Sequence, residues 1–263
     1  MRRMLVVLAA VAMAAGCGAA ARADSVVAPG GASGTEGAEG NAFPFDDGSI
    51  GGIPSQRYQQ VYGATAFAGV GGPMVITDIL FRPDATVPGA AFSTTIPSIQ
   101  IDLSTTSRAP DTLSLTFADN VGADDAIVYS GALPLSSANT GPAGGPLDFD
   151  IMIHLTTPYT YDPAAGSLLL DVRNFGATTT ERFDAFNVLG DSVSRVYSSV
   201  GGTVNDATAF SADSVGLATR FDYQPAGVAT PLPPAAWGGA LLLAMGAGWK
   251  ASRRRAGEAA IRG

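Results

Sequence analysis

Short runs in which apolar and polar residues strictly alternate fill the middle of this chain, and that period-2 pattern is the main constraint on its fold. Ile99-Gln100-Ile101-Asp102-Leu103 alternates throughout, as does Leu113-Ser114-Leu115-Thr116-Phe117. Leu147, Phe149, Ile151, Ile153 and Leu155 lay an apolar stripe along one further stretch. Successive side chains of a strand point to opposite faces, so each run supplies one face to a core. Further runs at 58–68, 74–82, 126–130, 167–173, 182–188, 193–198 and 215–223 bring the series to about ten short strands, separated by Gly, Pro, Asn and Asp. A helical period nowhere persists for three turns. With 33 Gly, 17 Pro and only 14% charged residues, a long-helix or coiled-coil protein is excluded. The expected fold is all-β, a single β-sandwich of jelly-roll type over 41–225. An up-and-down barrel and a short parallel solenoid are the alternatives, and the lack of a fixed-period repeat counts against the solenoid. Residues 28–40, rich in Gly, Ala and Ser, read as part of a flexible linker over 24–40 with nothing to bury.

The two ends have a different character. Arg2 and Arg3 precede an apolar run of 11 residues, Leu5 to Ala15, too short to span a bilayer. Ala21-Arg22-Ala23 matches the small-x-small pattern of a secretory cleavage site, so residues 1–23 are expected to be a signal peptide with the mature chain starting at Asp24. Cys17 offers a competing signal, because Ala14-Ala15-Gly16-Cys17 loosely resembles a lipoprotein box. Cleavage after Ala23 removes this single cysteine, which suits an oxidising compartment. At the other end Pro231-Leu232-Pro233-Pro234, within a Pro-rich stretch over 226–234, stops regular structure. Fifteen uncharged residues from Ala235 to Trp249 follow, then Lys250 and the cluster Arg253-Arg254-Arg255. A helix of that length reaches roughly 22 Å, and snorkelling basic side chains would extend it across a membrane. The basic cluster would then sit on the cytoplasmic side and the body outside.

A short Pro motif, an apolar helix and a terminal arginine cluster make up a layout that resembles the PEP-CTERM class of bacterial sorting tails. The variant whose motif reads Val-Pro-Leu-Pro-Ala is the nearest in pattern: Pro231-Leu232-Pro233 carries its core, and Ala235-Ala236-Trp237 is similar to what often follows. Thr230 stands in place of Val, Pro234 is inserted before the alanines, and the motif has no Glu. The segment Arg57-Tyr58-Gln59-Gln60-Val61-Tyr62 is also similar to phrases in other secreted proteins with such tails. The resemblance implies passage through the export machinery and transient anchoring in the inner membrane of a Gram-negative bacterium. It further implies processing by an exosortase, and delivery to the cell surface or an exopolysaccharide matrix. It covers only the residues from Val228 onward and implies no activity for the body.

Charge sharpens this picture. The whole chain has a formal charge of −8, but between Asp24 and Thr230 seven arginines and no lysine face 22 acidic residues, a charge of −15. Such a surface repels polyanions, so nucleic acid is not an expected partner. One Cys and one His exclude a disulfide framework and the usual Cys-rich or multi-His metal sites. The loop Asp119-Asn120-Val121-Gly122-Ala123-Asp124-Asp125 is the best metal candidate, since Asp119, Asn120, Asp124 and Asp125 offer hard oxygen ligands of the kind Ca²⁺ takes. It lacks EF-hand spacing, and ordinary turn chemistry accounts for most aspartates.

Other candidate groups are fewer. Both tryptophans, Trp237 and Trp249, lie in the tail, so any aromatic sugar platform in the body must use tyrosine, with Tyr159 and Tyr161 as candidates. Arg195 shares strand parity with Val193 and Tyr197, which points to a buried Arg–Asp pair with Asp184 or Asp213, or else to a ligand site. His154 has the parity of Asp148, Asp150 and Met152 and reads as a solvated strand residue. No Gly-x-Ser-x-Gly elbow is present, and no catalytic residue is assigned. Asp148/Asp150 and Asp46/Asp47 are carboxylate pairs, but spacing along the chain does not give the separation that glycoside hydrolysis needs. The expectation is therefore a non-enzymatic surface or matrix protein without a cofactor. A carbohydrate-binding module, Ca²⁺-assisted or not, comes second, and a hydrolase using two aspartates third.

Overall fold

The computed structural model describes residues 23–45, 55–87, 89–176, 178, 180–198 and 201–227. The signal region with Cys17 and Ala21, the pair Asp46/Asp47, the Pro motif, the apolar helix and the basic cluster all lie outside the described residues. Strands dominate what is described. In chain order they are β1 (Asp24–Ala28), β2 (Glu39–Asn41), β3 (Gln56–Tyr62), β4 (Met74–Phe81), β5 (Phe92–Thr106), β6 (Ala126–Ser137) and β7 (Ile151–Tyr161), followed by β8 (Ser167–Asn174), β9 (Phe183–Asn187), β10 (Val193–Tyr197), β11 (Ser211–Asp213), β12 (Val215–Leu217) and β13 (Thr219–Pro225). Single 3₁₀ turns at Gly30–Ser33, Ala64–Phe67 and Phe117–Asn120 are the described helical pieces. No helix among the described residues is long and apolar enough to cross a membrane.

The protein is all-β and built of three antiparallel sheets. Four strands run in the order β1-β13-β4-β7, six in the order β11-β10-β3-β8-β5-β6, and three in the order β12-β9-β2. The two larger sheets share one apolar core. Ile76, Ile79, Phe81, Ile151, Ile153 and Phe221 come from the first, and Tyr58, Tyr62, Ile101, Leu103, Leu170 and Val172 from the second. The Tyr62 and Phe221 rings meet edge to face at 4.9 Å, tying the sheets together. Long-range pairing is nested: β1 pairs with β13, β3 with β8, β4 with β7 and β5 with β6. Pro97 sits where β5 slips register against β6, between Ile96 and Ile99, which is where a residue without an N–H is tolerated.

Four sequence expectations are corrected. First, residues 24–40 are not a linker. β1 pairs along its whole length with β13, Ala28 and Ala32 are fully buried, and Gly37 N–H donates to Asp184 Oδ1 at 2.8 Å. A charged anchor, Arg82, overrides the Gly-rich composition. Its Nη1 donates to the Ala32 carbonyl at 2.7 Å and its Nη2 to the Thr35 carbonyl at 2.6 Å. Gly37 is needed for this close approach, because a Cβ there would overlap the Ala185 carbonyl oxygen. Second, the run 58–68 is two elements, β3 and the 3₁₀ turn at Ala64–Phe67. Third, Leu113–Phe117 is not a strand despite its alternation. Asn120 captures both the N–H and the carbonyl of Ser114 (2.8 Å each), and the 207–209 stretch pairs with the Leu115 and Phe117 main chain. Fourth, Leu147 and Phe149 precede β7, and Phe149 instead lies 4.8 Å from the Arg82 guanidinium. The short strands β1, β2 and β11 had no period-2 signal, and the 215–223 run divides at Ala218 into β12 and β13.

Candidate functional site

The outer face of the six-stranded sheet gathers most of the polar side chains. Alternation that buries Tyr58, Leu170 and Val172 inward turns Arg57, Gln59, Asp102, Asp171 and Arg173 outward. Asp102 and Asp171 stand directly opposite each other on β5 and β8. Asp171 is neutralised by Arg57, whose Nη2 donates at 2.6 Å, and by Gln59, whose Nε2 donates at 2.8 Å. Asp102 receives only the Gln100 amide, at 3.1 and 2.8 Å to its two oxygens, and burial raises its carboxyl above the ordinary range. The loop after β5 closes over this face. Asn120 is fully buried and donates to Gln59 Oε1 at 2.9 Å, while the Phe117 ring lies under Arg57 at 4.7 Å. Burial and the neighbouring Asp102 and Asp171 push Asp125 up to about 6, with Arg173 and Arg57 pulling back.

The predicted metal loop belongs to this cover, and donors from the protein occupy Asp124, Asn120 and one oxygen of Asp119. Asp124 Oδ1 accepts from Thr105 N–H at 2.7 Å and Oδ2 from the Tyr159 hydroxyl at 2.8 Å. Desolvation works to raise the Asp124 carboxyl, but the bonds from Thr105 and Tyr159 outweigh it and hold it below its ordinary value. Asp119 Oδ2 accepts from the Ser114 hydroxyl at 3.0 Å. Asp119 and Asn120 thus turn to Ser114, and Asp124 turns away to Thr105 and Tyr159. Among the described residues no three His, Cys, Asp or Glu side chains come together to hold a metal ion.

Tyr159 and Tyr161 are inside the protein, with Tyr161 fully buried against Phe67 at 5.0 Å. Its hydroxyl donates to the Gly166 carbonyl at 2.8 Å. Neither ring presents a face on which a sugar would stack, which corrects the platform expected from sequence. Their odd positions along β7 put them on the core side with Ile151, Ile153 and Leu155. The opposite parity was read correctly: His154 and Met152 are exposed, and His154 Nδ1 lies 2.7 Å from Asp78 Oδ1. Asp148 is exposed, and Asp150 Oδ2 accepts from Ala138 N–H at 2.8 Å.

Arg195 makes the pair that its parity predicted, with Asp213 of the two candidates. Nε donates to Oδ1 at 2.8 Å and Nη2 to Oδ2 at 3.1 Å, a two-point contact between adjacent strands. The guanidinium lies 4.7 Å from the Tyr197 ring and next to the buried Tyr58 phenol, which desolvation pushes well up and Arg195 pulls down. Beside the pair is a shallow recess of about 150 Å³, bordered by Asp111, Leu113, Leu189 and Ser194. Asp184, the other candidate, is bonded by Arg82 instead, with Nη2 to Oδ2 at 2.6 Å and both side chains buried. The residues missed from sequence are Gln59, Arg82 and Asp102. Their only signal was a polar side chain inside an otherwise strand-like run.

Comparison with protein-family models, with curated proteins and with solved structures gives no significant match. The site is therefore defined by its own geometry: a covered polar face, a two-point Arg–Asp pair beside a shallow recess, and carboxylates largely bonded to donors of the fold.

Proposed function

We propose that this protein is an exported, non-enzymatic surface or matrix component, carried out by the export machinery, processed at its C-terminal Pro motif by an exosortase-type enzyme, and retained on exopolysaccharide. The observation that carries this is where the first and last described strands lie. β1 starts at Asp24, the residue after the expected cleavage, and β13 ends at Pro225, shortly before Pro231. The folded body thus lies between the two expected processing points, and neither cut would break a strand. The uncharged run Ala235 to Trp249 with its basic end, and the −15 of the body, fit an anchor that is shed and a domain that stays soluble.

The body reads as a jelly roll. Four of its pairs nest, β1–β13 outside β3–β8, β4–β7 and β5–β6, and the β4–β13 and β5–β8 pairs join them into the two sheets. Two sheets of interleaved antiparallel strands on one core are the pattern expected of that fold. The bonding of Asp119, Asp124, Asp150 and Asp171 to protein donors favours a structural over a catalytic role for them. Deleting 231–263 in the native host tests the sorting reading. Release of the protein to the medium is expected, and unchanged retention on the cell would overturn it.

A further inference from the structure

The N-terminal segment is held down by a buried group of charges in which two carboxylate oxygens lack a partner. Glu36, Asp84 and Asp184 gather around Arg82. Asp184 is fully satisfied: Oδ2 takes the Arg82 bonds and Oδ1 takes Gly37 N–H. The other two are each half satisfied. Asp84 Oδ1 accepts from the Thr86 N–H at 2.7 Å and hydroxyl at 2.6 Å, and Glu36 Oε1 accepts from Ala85 N–H at 2.7 Å. Asp84 Oδ2 and Glu36 Oε2 are buried and have no hydrogen-bond partner. Asp84 as a whole is only 2% exposed. Its free oxygen is aimed at the N-terminal segment that carries Glu36, so closely that a Cβ on Gly40 would overlap it.

Three carboxylates face one buried guanidinium, with the Arg182 side chain packed against Gly40 beside Asp84 Oδ2. Arg182, the nearest other cation, is exposed. Its Nη1 goes to the Gly40 carbonyl at 3.4 Å rather than to a carboxylate. Burying unpaired carboxylate oxygen is costly, and natural proteins offset it with hydrogen bonds, an ion pair or a metal. We propose that Glu36 and Asp84 hold one hard divalent cation, calcium, which clamps the segment 36–40 to the turn after β4. Two carboxylates are available rather than three, so main-chain oxygen and water complete the shell, as the irregular oxygen coordination of Ca²⁺ allows. A +2 ion supplies a partner to both of the unpartnered oxygens. This site is separate from the 119–125 loop, where both Asp124 oxygens are already bonded.

The test uses the full chain in mild detergent, stripped with EGTA and titrated with CaCl₂, with melting followed by circular dichroism and binding by calorimetry. One ion per chain is expected, with Tm rising by about 5–10 °C at 100-fold excess over Kd. Glu36→Gln and Asp84→Asn each weaken binding at least about tenfold, while Asp119→Asn and Asp124→Asn leave it in place. If Asp84→Asn fails to fold, the half-buried Glu36→Gln decides alone. No calcium response in the unmodified protein overturns the proposal. So does a response that survives Glu36→Gln or that disappears with Asp124→Asn. None of these outcomes depends on where the protein is sorted, so the site and the export reading stand or fall separately.

Discussion

Asp191→Asn is predicted to stabilise the protein above pH 6 and to leave it nearly unchanged near pH 4. Asp191 lies in the turn before β10. Its Oδ1 accepts from Val193 N–H at 3.0 Å, but its Oδ2 is buried without a partner. Burial, with the neighbouring charge of Asp111, pushes the carboxyl up to about 6 from an ordinary 3.8. A carboxyl raised by folding is protonated in the native state before it is protonated in the unfolded chain. Its penalty is thus absent below about pH 4 and complete above about pH 6, so stability falls as pH rises through that window. The full shift corresponds to about 3 kcal/mol, and partial exposure reduces this to about 1–2 kcal/mol. Asparagine keeps an oxygen for Val193 and replaces the unpartnered oxygen by a neutral amide. For a domain of this size the gain amounts to roughly 2–8 °C in Tm at pH 8. Urea unfolding of both proteins at pH 8, 6 and 4 measures it. A gain equal at all three values, or a loss at pH 8, would refute the assignment of the penalty to a buried charge.

Two further substitutions test the clamp on the N-terminal segment. Arg82→Met leaves Asp184 buried and unpaired and strips donors from the Ala32 and Thr35 carbonyls, so a loss of about 3–5 kcal/mol is expected in urea unfolding. Lysine should not restore it, since one ammonium cannot reach all three acceptors in that planar geometry. Gly37→Ala should cost about 2–3 kcal/mol, because its Cβ meets the Ala185 carbonyl and displaces the N–H bonded to Asp184. Gly30→Ala, where nothing lies within 4 Å, should stay within about 0.5 kcal/mol of the parent.

The strands legible in the sequence are those carrying short apolar runs bounded by turn residues, and β8, β9 and β10 are buried on both faces for most of their length. β4, β8, β9 and β10 fall close to where the apolar periodicity put them. Alternation misled at Leu113–Phe117, because the buried Asn120 amide takes both backbone groups of Ser114 and the 207–209 stretch meets Leu115 and Phe117 through only an isolated bridge. Composition misled at 24–40, where the stabilising group, Arg82, lies far away in sequence and acts on backbone carbonyls that carry no residue signature. The candidate site was partly readable. Parity identified the Arg195 pair and the solvated His154, since both depend only on which face a strand residue takes. Parity equally places Tyr159 and Tyr161 on the core side, whereas their candidacy rested on residue type alone. The Asp119–Asp125 loop shows the limit of local reading: carboxylates adjacent in the chain turn to Thr105, Tyr159 and Ser114, three different neighbours.

The nested pairing also sets an order of events. β1 is the first strand made, yet its described partner is β13, the last, with Asp24 opposite Tyr223. Every inner pair can close while the chain is still emerging, but the outermost pair has to wait for nearly the whole body. Until then Val26 and Ala28 remain uncovered at one end of the growing chain and Phe221 is not yet available to meet Tyr62. The four-stranded sheet is therefore the one that waits longest, since β13 joins both β1 and β4 and its last residue, Pro225, is followed closely by Pro231.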